Sequence, residues 1–402
     1  MFPRTAAFLL LTLTAPAQTL TVLHNFAGGS DGTYPSSGLV FDTQGNLYGV
    51  TSNGGNRECS GLGLVGCGVV YQLAPNGGGF TESVIHVFSE SLDGGNPSGT
   101  PVFDAAGRLF GTTQYYALGQ GAVWELTPSA GGPWTGNLMY AFNSPSQGFS
   151  PSAVAFYRSR LFGSTFSGGA HNDGLIFHLY PDGGSWNEHV TYNFQAGSDG
   201  NAPAGPLIFD EIGNMYGTTY EGGPFLTGTV FELARIIVPG GYTEQILYTF
   251  QGFAFGASPD GANPTSGVIG DRQGNLYGTT YYGGPAGVGT VFKLAKQSDQ
   301  TFQESVIYSF TDHADGGHPN GLLMDAAGNL YGTTAGHKTA GSIYKLSPES
   351  DGSWQFTLLH EFTGPDGASP SGPVVMDAAG NLYGATTYGG ASDIGVVFKL
   401  TP

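Results

Sequence analysis

Six aspartates recur in one setting, Asp-Gly-x-x-Pro, at Asp31, Asp93, Asp199, Asp260, Asp315 and Asp366. Acids repeated in a single loop type suggest two chemistries. A ring of them could hold Ca2+, which takes carboxylate and carbonyl oxygens, or could supply the paired acids of a glycosidase or lyase. Against both stands the turn-forming habit of Asp-Gly with a following Pro, which needs no ligand. Hydrolysis also needs two acids in unlike environments, not six alike. The turn reading is the stronger, so no catalytic residue is assigned, and calcium stays open at these six positions.

Other candidates are residues that break an otherwise regular pattern, because the fold does not demand them. They are Tyr115 and Tyr116, Phe149 and His171 with Asp173, Glu221 and Phe225, Phe253 and Phe255, and His318 and His337 with His313 close by. Exposed aromatics among Asp, Asn and Gly suit saccharide or peptide recognition, with stacking for affinity and short polar groups for orientation. The same residues suit plain loop packing. His318 and His337 fall in adjacent loops and, with His313, could form a two- or three-histidine metal site, although unpaired surface histidines are commoner. By contrast, His24, His86 and His360 share a slot with Tyr140, Tyr192, Tyr248 and Tyr308. That interchange fits a hydrogen-bonding position and not a metal ligand. There is no His-Glu-x-x-His and no phosphate-binding Gly-x-x-x-x-Gly-Lys.

The elements that must position these residues come from a repeat. The run Gly274-Asn275-Leu276-Tyr277-Gly278-Thr279-Thr280 has near-copies aligned on Leu47, Leu109, Leu161, Met215, Leu330 and Leu382, spaced 52 to 62 residues apart. Seven such units lie just above the period expected of propeller blades. Each holds four short runs rich in Val, Ile, Thr, Tyr and Phe and bounded by Gly, Pro, Asn or Asp, the pattern of strands and tight turns. The spacing predicts an all-β, seven-bladed β-propeller with four antiparallel strands per blade. The last unit ends after its third strand. Thr19 to Phe26 matches the missing fourth, so the N-terminal strand is expected to complete the last blade and close the ring, leaving no free edge.

Within each unit, Asp42, Asp104, Asp210, Asp271, Asp325 and Asp377 open an Asp-x-x-Gly-Asn turn and read as structural; the third unit substitutes Tyr157-Arg158-Ser159-Arg160. A glycine at Gly49, Gly111, Gly163, Gly217, Gly278, Gly332 and Gly384 sits inside the second strand, where close approach of another backbone or blade is expected. All four tryptophans fall in repeat slots and read as blade packing.

Residues 1–17, with Arg4, an apolar run and Ala15-Pro16-Ala17, read as a signal peptide. Residues 18–402 then form a single propeller domain. No later apolar stretch approaches the ~20 residues of a membrane span. A net charge of −18 with only 10% charged residues argues against nucleic acid and anionic membrane. Cys59 and Cys67, eight apart in an exported chain, are expected to form a local disulfide.

The run Gly-Asn-Leu-Tyr-Gly-Thr-Thr, then Tyr-Gly-Gly at Tyr282 to Gly284, then Gly-Thr-Val-Phe-Lys-Leu at Gly289 to Leu294 resembles the tandem repeat of the GloVer family. That resemblance implies an exported bacterial repeat protein of unassigned activity, and it supplies no catalytic residue. Family members carry varied C-terminal anchors, whereas here only Thr401 and Pro402 follow Leu400, so free secretion is expected. The function expected is non-catalytic binding of extracellular glycan or a surface protein by a monomer. The alternatives are a hydrolase or lyase using loop carboxylates, or a structural cell-envelope protein.

Overall fold

The computed structural model describes residues 18–55, 59, 65–116, 120–129, 132–236, 241–251 and 258–402. The signal-peptide reading of residues 1–17 and the candidates Phe253 and Phe255 lie outside the described residues. Seven four-stranded antiparallel sheets form the blades of a propeller, numbered here from the unit of Leu47. Blade two shows the plan: an inner strand Gly95–Phe103, a second Leu109–Tyr115, a third Ala122–Ser129 and an outer strand Gly132–Ala141. Among the described residues helix is confined to three-residue 3-10 turns such as Gly29–Asp31.

Blade seven closes the ring as expected. Thr19–Asn25 pairs antiparallel with Val396–Thr401, in the register Leu20 to Leu400 and Val22 to Phe398. Closure extends to the inner strands, where Ser371 Oγ donates to Ser37 O (2.9 Å) and Thr387 Oγ1 to Pro35 O (3.1 Å).

The recurring glycine of the second strand has a different cause from the one its position suggested. It makes room for an aromatic ring of the adjacent third strand in the same blade. A Cβ on Gly278 would lie 2.5 Å from Phe292 Cζ, and on Gly111 2.3 Å from Trp124 Cζ2. Phe292 faces Gly278 directly across the ladder. The two repeat slots are therefore one device, a ring laid over a bare backbone, and these rings form the centre of the inter-blade core.

Backbones of neighbouring blades do meet, but on the inner strands. A Cβ on Gly99 would sit 2.2 Å from Ser152 O, on Gly205 2.1 Å from Gly267 N, and on Gly372 2.5 Å from Gly38 N. Inner strands lose ladder pairing at this level, as between Pro151 and Ala153. The freed groups are bridged by side chains, for example Thr218 Oγ1 to Ser266 O (2.9 Å) and Thr279 Oγ1 to Asn320 O (3.0 Å).

A third device is a β-bulge in every outer strand. Leu23, Ile85, Met139, Thr191, Leu247, Ile307 and Leu359 are skipped in the ladder. A bulge re-aims the side chains beside it. The residue that follows each bulge is the His or Tyr of the shared slot.

Candidate functional site

The two sets of loops expected to share a face do so. The second glycine of each Tyr-Gly-Gly-type loop donates its amide to the loop entering the same blade, as Gly55 N to Gly29 O (2.7 Å), Gly169 N to Pro145 O (2.8 Å) and Gly390 N to Gly364 O (2.9 Å). On this loop face each Asp-Gly-x-x-Pro aspartate is engaged within its own loop. Asp199 accepts from Tyr192 Oη (2.5 Å) and Gln195 N (2.6 Å), and Asp260 from Tyr248 Oη (2.6 Å) and Gln251 N (2.7 Å). Asp315 does the same with Tyr308 and Thr311. At Asp31, Asp93 and Asp366 the partner is instead His24, His86 or His360, at 3.0, 2.5 and 2.7 Å. Gln147, the substitute in blade three, bonds Tyr140 and Asn143 N.

His and Tyr interchange because each offers one hydrogen to the same carboxylate. The six acids thus lie against the outer strands, each closing a loop. Burial works against the charge on Asp366, yet donors led by Thr363 outweigh it and hold the carboxyl below its ordinary range.

The residue before the proline is left-handed in all seven blades: Tyr34, Asn96, Ser150, Ala202, Asn263, His318 and Ser369 have φ between 50° and 58°. Such a conformation costs about 1–3 kcal/mol at a non-glycine residue and persists only where surroundings enforce it. Here the proline locks against a glycine that opens the third strand of the preceding blade. A Cβ on Gly289 would lie 2.5 Å from Pro319 Cδ.

This geometry places His318 at the centre of an aromatic cluster. Its ring stacks on Tyr281 (centroids 4.1 Å, 14° between planes) and meets Tyr282 (5.3 Å) and His337 (5.5 Å) edge-on. Nδ1 lies 2.8 Å from Tyr281 O. Burial lowers the His318 pKa and keeps the ring neutral at pH 7. Tyr220 adjoins the pair, with its hydroxyl pushed up by burial and by Tyr282 and Tyr281, and Phe166, 45% exposed, extends the row (6.3 Å). At the far end, exposed His337 and Lys338 both reach Asp312 Oδ2, at 3.0 and 3.1 Å. The result is a shelf of partly exposed rings from blades three to six, packed around the buried His318, with charged and phenolic groups along it.

The structure brings His318 and His337 together, but through ring edges and an aspartate. Glu221, exposed at the end of the blade-four second strand, follows Tyr220 on the shelf, while Phe225 stands 49% exposed on the next loop. The other candidates are not part of it. Tyr115 and Tyr116 are half-buried in blade two, and Tyr115 pairs with Gly95. Phe149 is half-buried opposite Ser167, and His171 is exposed on a blade-three loop. Sequence reasoning missed Tyr220, Tyr281 and Phe166, all in the position after the second threonine of the repeat run, where aromatics gather in consecutive blades three to five. The Cys59–Cys67 disulfide forms as expected and packs on Gly95 of the next blade.

The opposite face, made of hairpin turns, has recesses between blades. One of about 600 Å3 lies between blades one and two, lined by Phe41, Tyr48, Phe103 and Trp134 with Asp42 and Asp104. Those acids are spent on their turns: Asp42 accepts from Asn46 Nδ2 (2.6 Å) and Tyr48 Oη (3.0 Å), and Asp104 pairs with Arg108 (2.6 Å).

A further set of acids was legible only as a repeat slot. Glu82, Glu188, Glu244 and Glu304 occupy the same place in four outer strands, opposite a third-strand leucine. Each reaches the His or Tyr slot of the preceding blade, as in Tyr140 Oη to Glu188 Oε2 (2.9 Å). Each leaves one buried carboxyl oxygen without a hydrogen-bond partner. Burial pushes Glu188, Glu244 and Glu304 up to about 7, with Asp199 and Asp260 adding to the last two. Such unlike acid pairs resemble the acid–base pairing of hydrolases. Here they recur at successive blade seams.

Among known structures, the extracellular domain of a hybrid two-component system protein from B. thetaiotaomicron aligns over 94% of this chain with a TM-score of 0.55 and 10% identity. This chain spans only 39% of that one. A protein provisionally assigned as a 6-phosphogluconolactonase, from Bacteroides uniformis, aligns over 79% of this chain and 84% of its own, with a TM-score of 0.53 and 16% identity. At these identities the likeness shows the fold alone. No curated protein matches the chain in sequence. The family profile described as the Gloeobacter/Verrucomicrobia repeat matches residues 9–156 and 236–402. The unmatched stretch begins where blade three lacks the Asp-x-x-Gly-Asn turn, although its blades keep the same architecture. The repeat seen in the sequence is thus the family's own, and the chain belongs to the Gloeobacter/Verrucomicrobia repeat family.

Proposed function

We propose that this protein is an exported binding module that takes extracellular glycan on the aromatic shelf of its loop face. The observation that carries the reading is the convergence of Phe166, Tyr220, Tyr281 and Tyr282 from consecutive blades into one row of accessible rings packed around the buried His318. Apolar ring faces flanked by phenol hydroxyls and Glu221 match the alternating C–H and hydroxyl surface of a sugar. Export is supported by the disulfide and by the family, whose resemblance implied exported proteins. Among the described residues no helix is long and apolar enough to cross a membrane.

The test is to incubate the protein with a panel of insoluble polysaccharides and follow both its depletion from solution and the release of soluble sugar. Depletion without sugar release, lost in Tyr220→Ala and in Phe166→Ala, is the expected result. Both residues lie on the rim of the shelf, so the substitutions leave the His318 stack in place. Depletion unchanged in both variants would remove the shelf from the site. Soluble sugar would make the protein a hydrolase or lyase and send the search to the loop carboxylates. Calcium at Asp31, Asp93, Asp199, Asp260, Asp315 and Asp366 is tested in the same experiment by adding the ion or a chelator. Because each acid is held by its own loop, no dependence on the ion is expected.

A further inference from the structure

We propose that the seam where the two ends of the chain meet is a binding site for a divalent transition metal of the Zn2+ class, with His24, Asp31 and Glu82 as its protein ligands. The three come from separate elements. His24 lies on the outer strand of blade seven, Asp31 on the 3-10 turn leading into blade one, and Glu82 on the outer strand of blade one, Phe80–Val87.

Their ligating atoms all lie within 4.8 Å of one another. His24 Nε2 is 3.0 and 3.3 Å from the two oxygens of Asp31. Two donors about 2.0–2.1 Å from a tetrahedral zinc are about 3.3 Å apart, so this pair already has the bite of a chelate. Glu82, with a carboxyl oxygen within 4.8 Å of both, completes a His and two-carboxylate set, leaving the fourth position for water. Its Oε1 is buried without a hydrogen-bond partner, as at Glu188, Glu244 and Glu304, but only here does the glutamate meet a His–Asp pair. The first ligands are held from behind, as metal ligands usually are. Ala27 N donates to Asp31 Oδ2 (2.6 Å), and the His24 ring rests edge-on against Phe26 (4.8 Å).

Comparison of the seams shows why this one differs. The histidine of the shared slot occurs at His24, His86 and His360, and the outer-strand glutamate at Glu82, Glu188, Glu244 and Glu304. They coincide only between blades seven and one. Facing His86 the glutamate slot is Gly136, where a Cβ would lie 2.6 Å from the imidazole, and in the blade after His360 it is Leu20. For His86 and His360 the interchange with tyrosine marks a hydrogen-bonding slot and nothing more. For His24 it marks a slot that became a ligand when glutamate faced it. A metal there would tie the N-terminal strand and its loop to blade one, at the junction on which ring closure depends.

The experiment strips the mature protein with chelator, then measures Zn2+ binding by calorimetry, Co2+ binding by visible absorption, and thermal melting. One equivalent of Zn2+ is expected, with a Tm rise of about 3 °C when free metal is 100 times Kd. His24→Tyr should remain folded, since Tyr fills this slot in four other blades, and should lose the site. Glu82→Gln should weaken it at least tenfold. Tyr192→His should add a second equivalent, because Asp199 and Glu244 already stand at that seam. Zn2+ binding retained in His24→Tyr, or no binding by the parent, would overturn the proposal, as would a Tyr192→His variant that binds no more metal than the parent.

Discussion

Three seam glutamates should make this propeller more stable at pH 5 than at pH 8. Glu188, Glu244 and Glu304 are pushed from 4.5 to about 7, chiefly by burial. The groups facing them from the preceding blade are Tyr140 at Glu188, Tyr192 and Asp199 at Glu244, and Tyr248 and Asp260 at Glu304. None of these is a cation. In the unfolded chain each glutamate ionises near its ordinary value, while in the folded protein it stays protonated until pH 7. The stability it contributes is therefore fully present below 4.5 and is lost as pH rises through 7.

A rise from 4.5 to about 7 is worth about 3.4 kcal/mol per group at full strength. The side chains are only half-buried, so solvent screening reduces this to about 1–2 kcal/mol each. Lying at separate seams, the three should add to about 3–6 kcal/mol. With an unfolding entropy of about 0.8 kcal/mol/K for a chain of this size, that is a Tm shift of about 4–7 °C. The assay is calorimetric melting at pH 5 and pH 8 at one ionic strength and scan rate, for the parent and for the triple variant Glu188→Gln/Glu244→Gln/Glu304→Gln. The parent should melt higher at pH 5. The variant should gain about 4–7 °C on the parent at pH 8 and little at pH 5. A parent Tm that is flat or rising from pH 5 to pH 8, or a variant that melts lower at pH 8, would refute the reasoning.

Gly278→Ala would drive a Cβ to 2.5 Å from Phe292, and overpacking of this kind should cost about 1–3 kcal/mol, read as a Tm fall of about 1–4 °C. Asp271→Ala removes the acceptor for Gln273 N, Asn275 N, Asn275 Nδ2 and Tyr277 Oη, at 2.7 to 3.0 Å. Loss of that turn should cost about 2 kcal/mol in urea denaturation; an effect under about 0.5 kcal/mol would show that the repeat aspartate is dispensable. Cys59→Ser with Cys67→Ser opens a loop closed across eight residues, worth about 2.5 kcal/mol. Reductant should lower the parent Tm by the same amount and leave the double variant unmoved.

The fold was legible because the sequence repeats: one hairpin turn, read at Asp271, accounts for six blades, and the half-unit at each end of the chain predicts closure. What stayed hidden lies between repeats. Tyr140 and Glu188 are 48 residues apart, and their contact depends on the bulge at Met139, which turns Tyr140 toward the next blade. No local pattern announces that bulge, since Met139 is an ordinary apolar residue in an ordinary strand. The left-handed residue before each proline was hidden for a different reason. Local sterics push a pre-proline residue toward extended backbone, and only the packing of the proline on a neighbouring blade's glycine overrides this.

That override explains why the predicted binding residues scatter. Departures from the repeat, such as Tyr115 and Phe149, mark where blades differ, but not which way a side chain is sent. The shelf is built instead from an in-repeat position, that of Phe166, Tyr220 and Tyr281, and from His318, whose turn is common to every blade and whose side chain is not. In a molecule made of copies, the scaffold fixes seven equivalent positions around the face, and recognition arises where neighbouring copies happen to place compatible side chains. The same logic applies to His24 and Glu82: each residue is ordinary in its own slot, and the chemistry comes from their meeting at one seam.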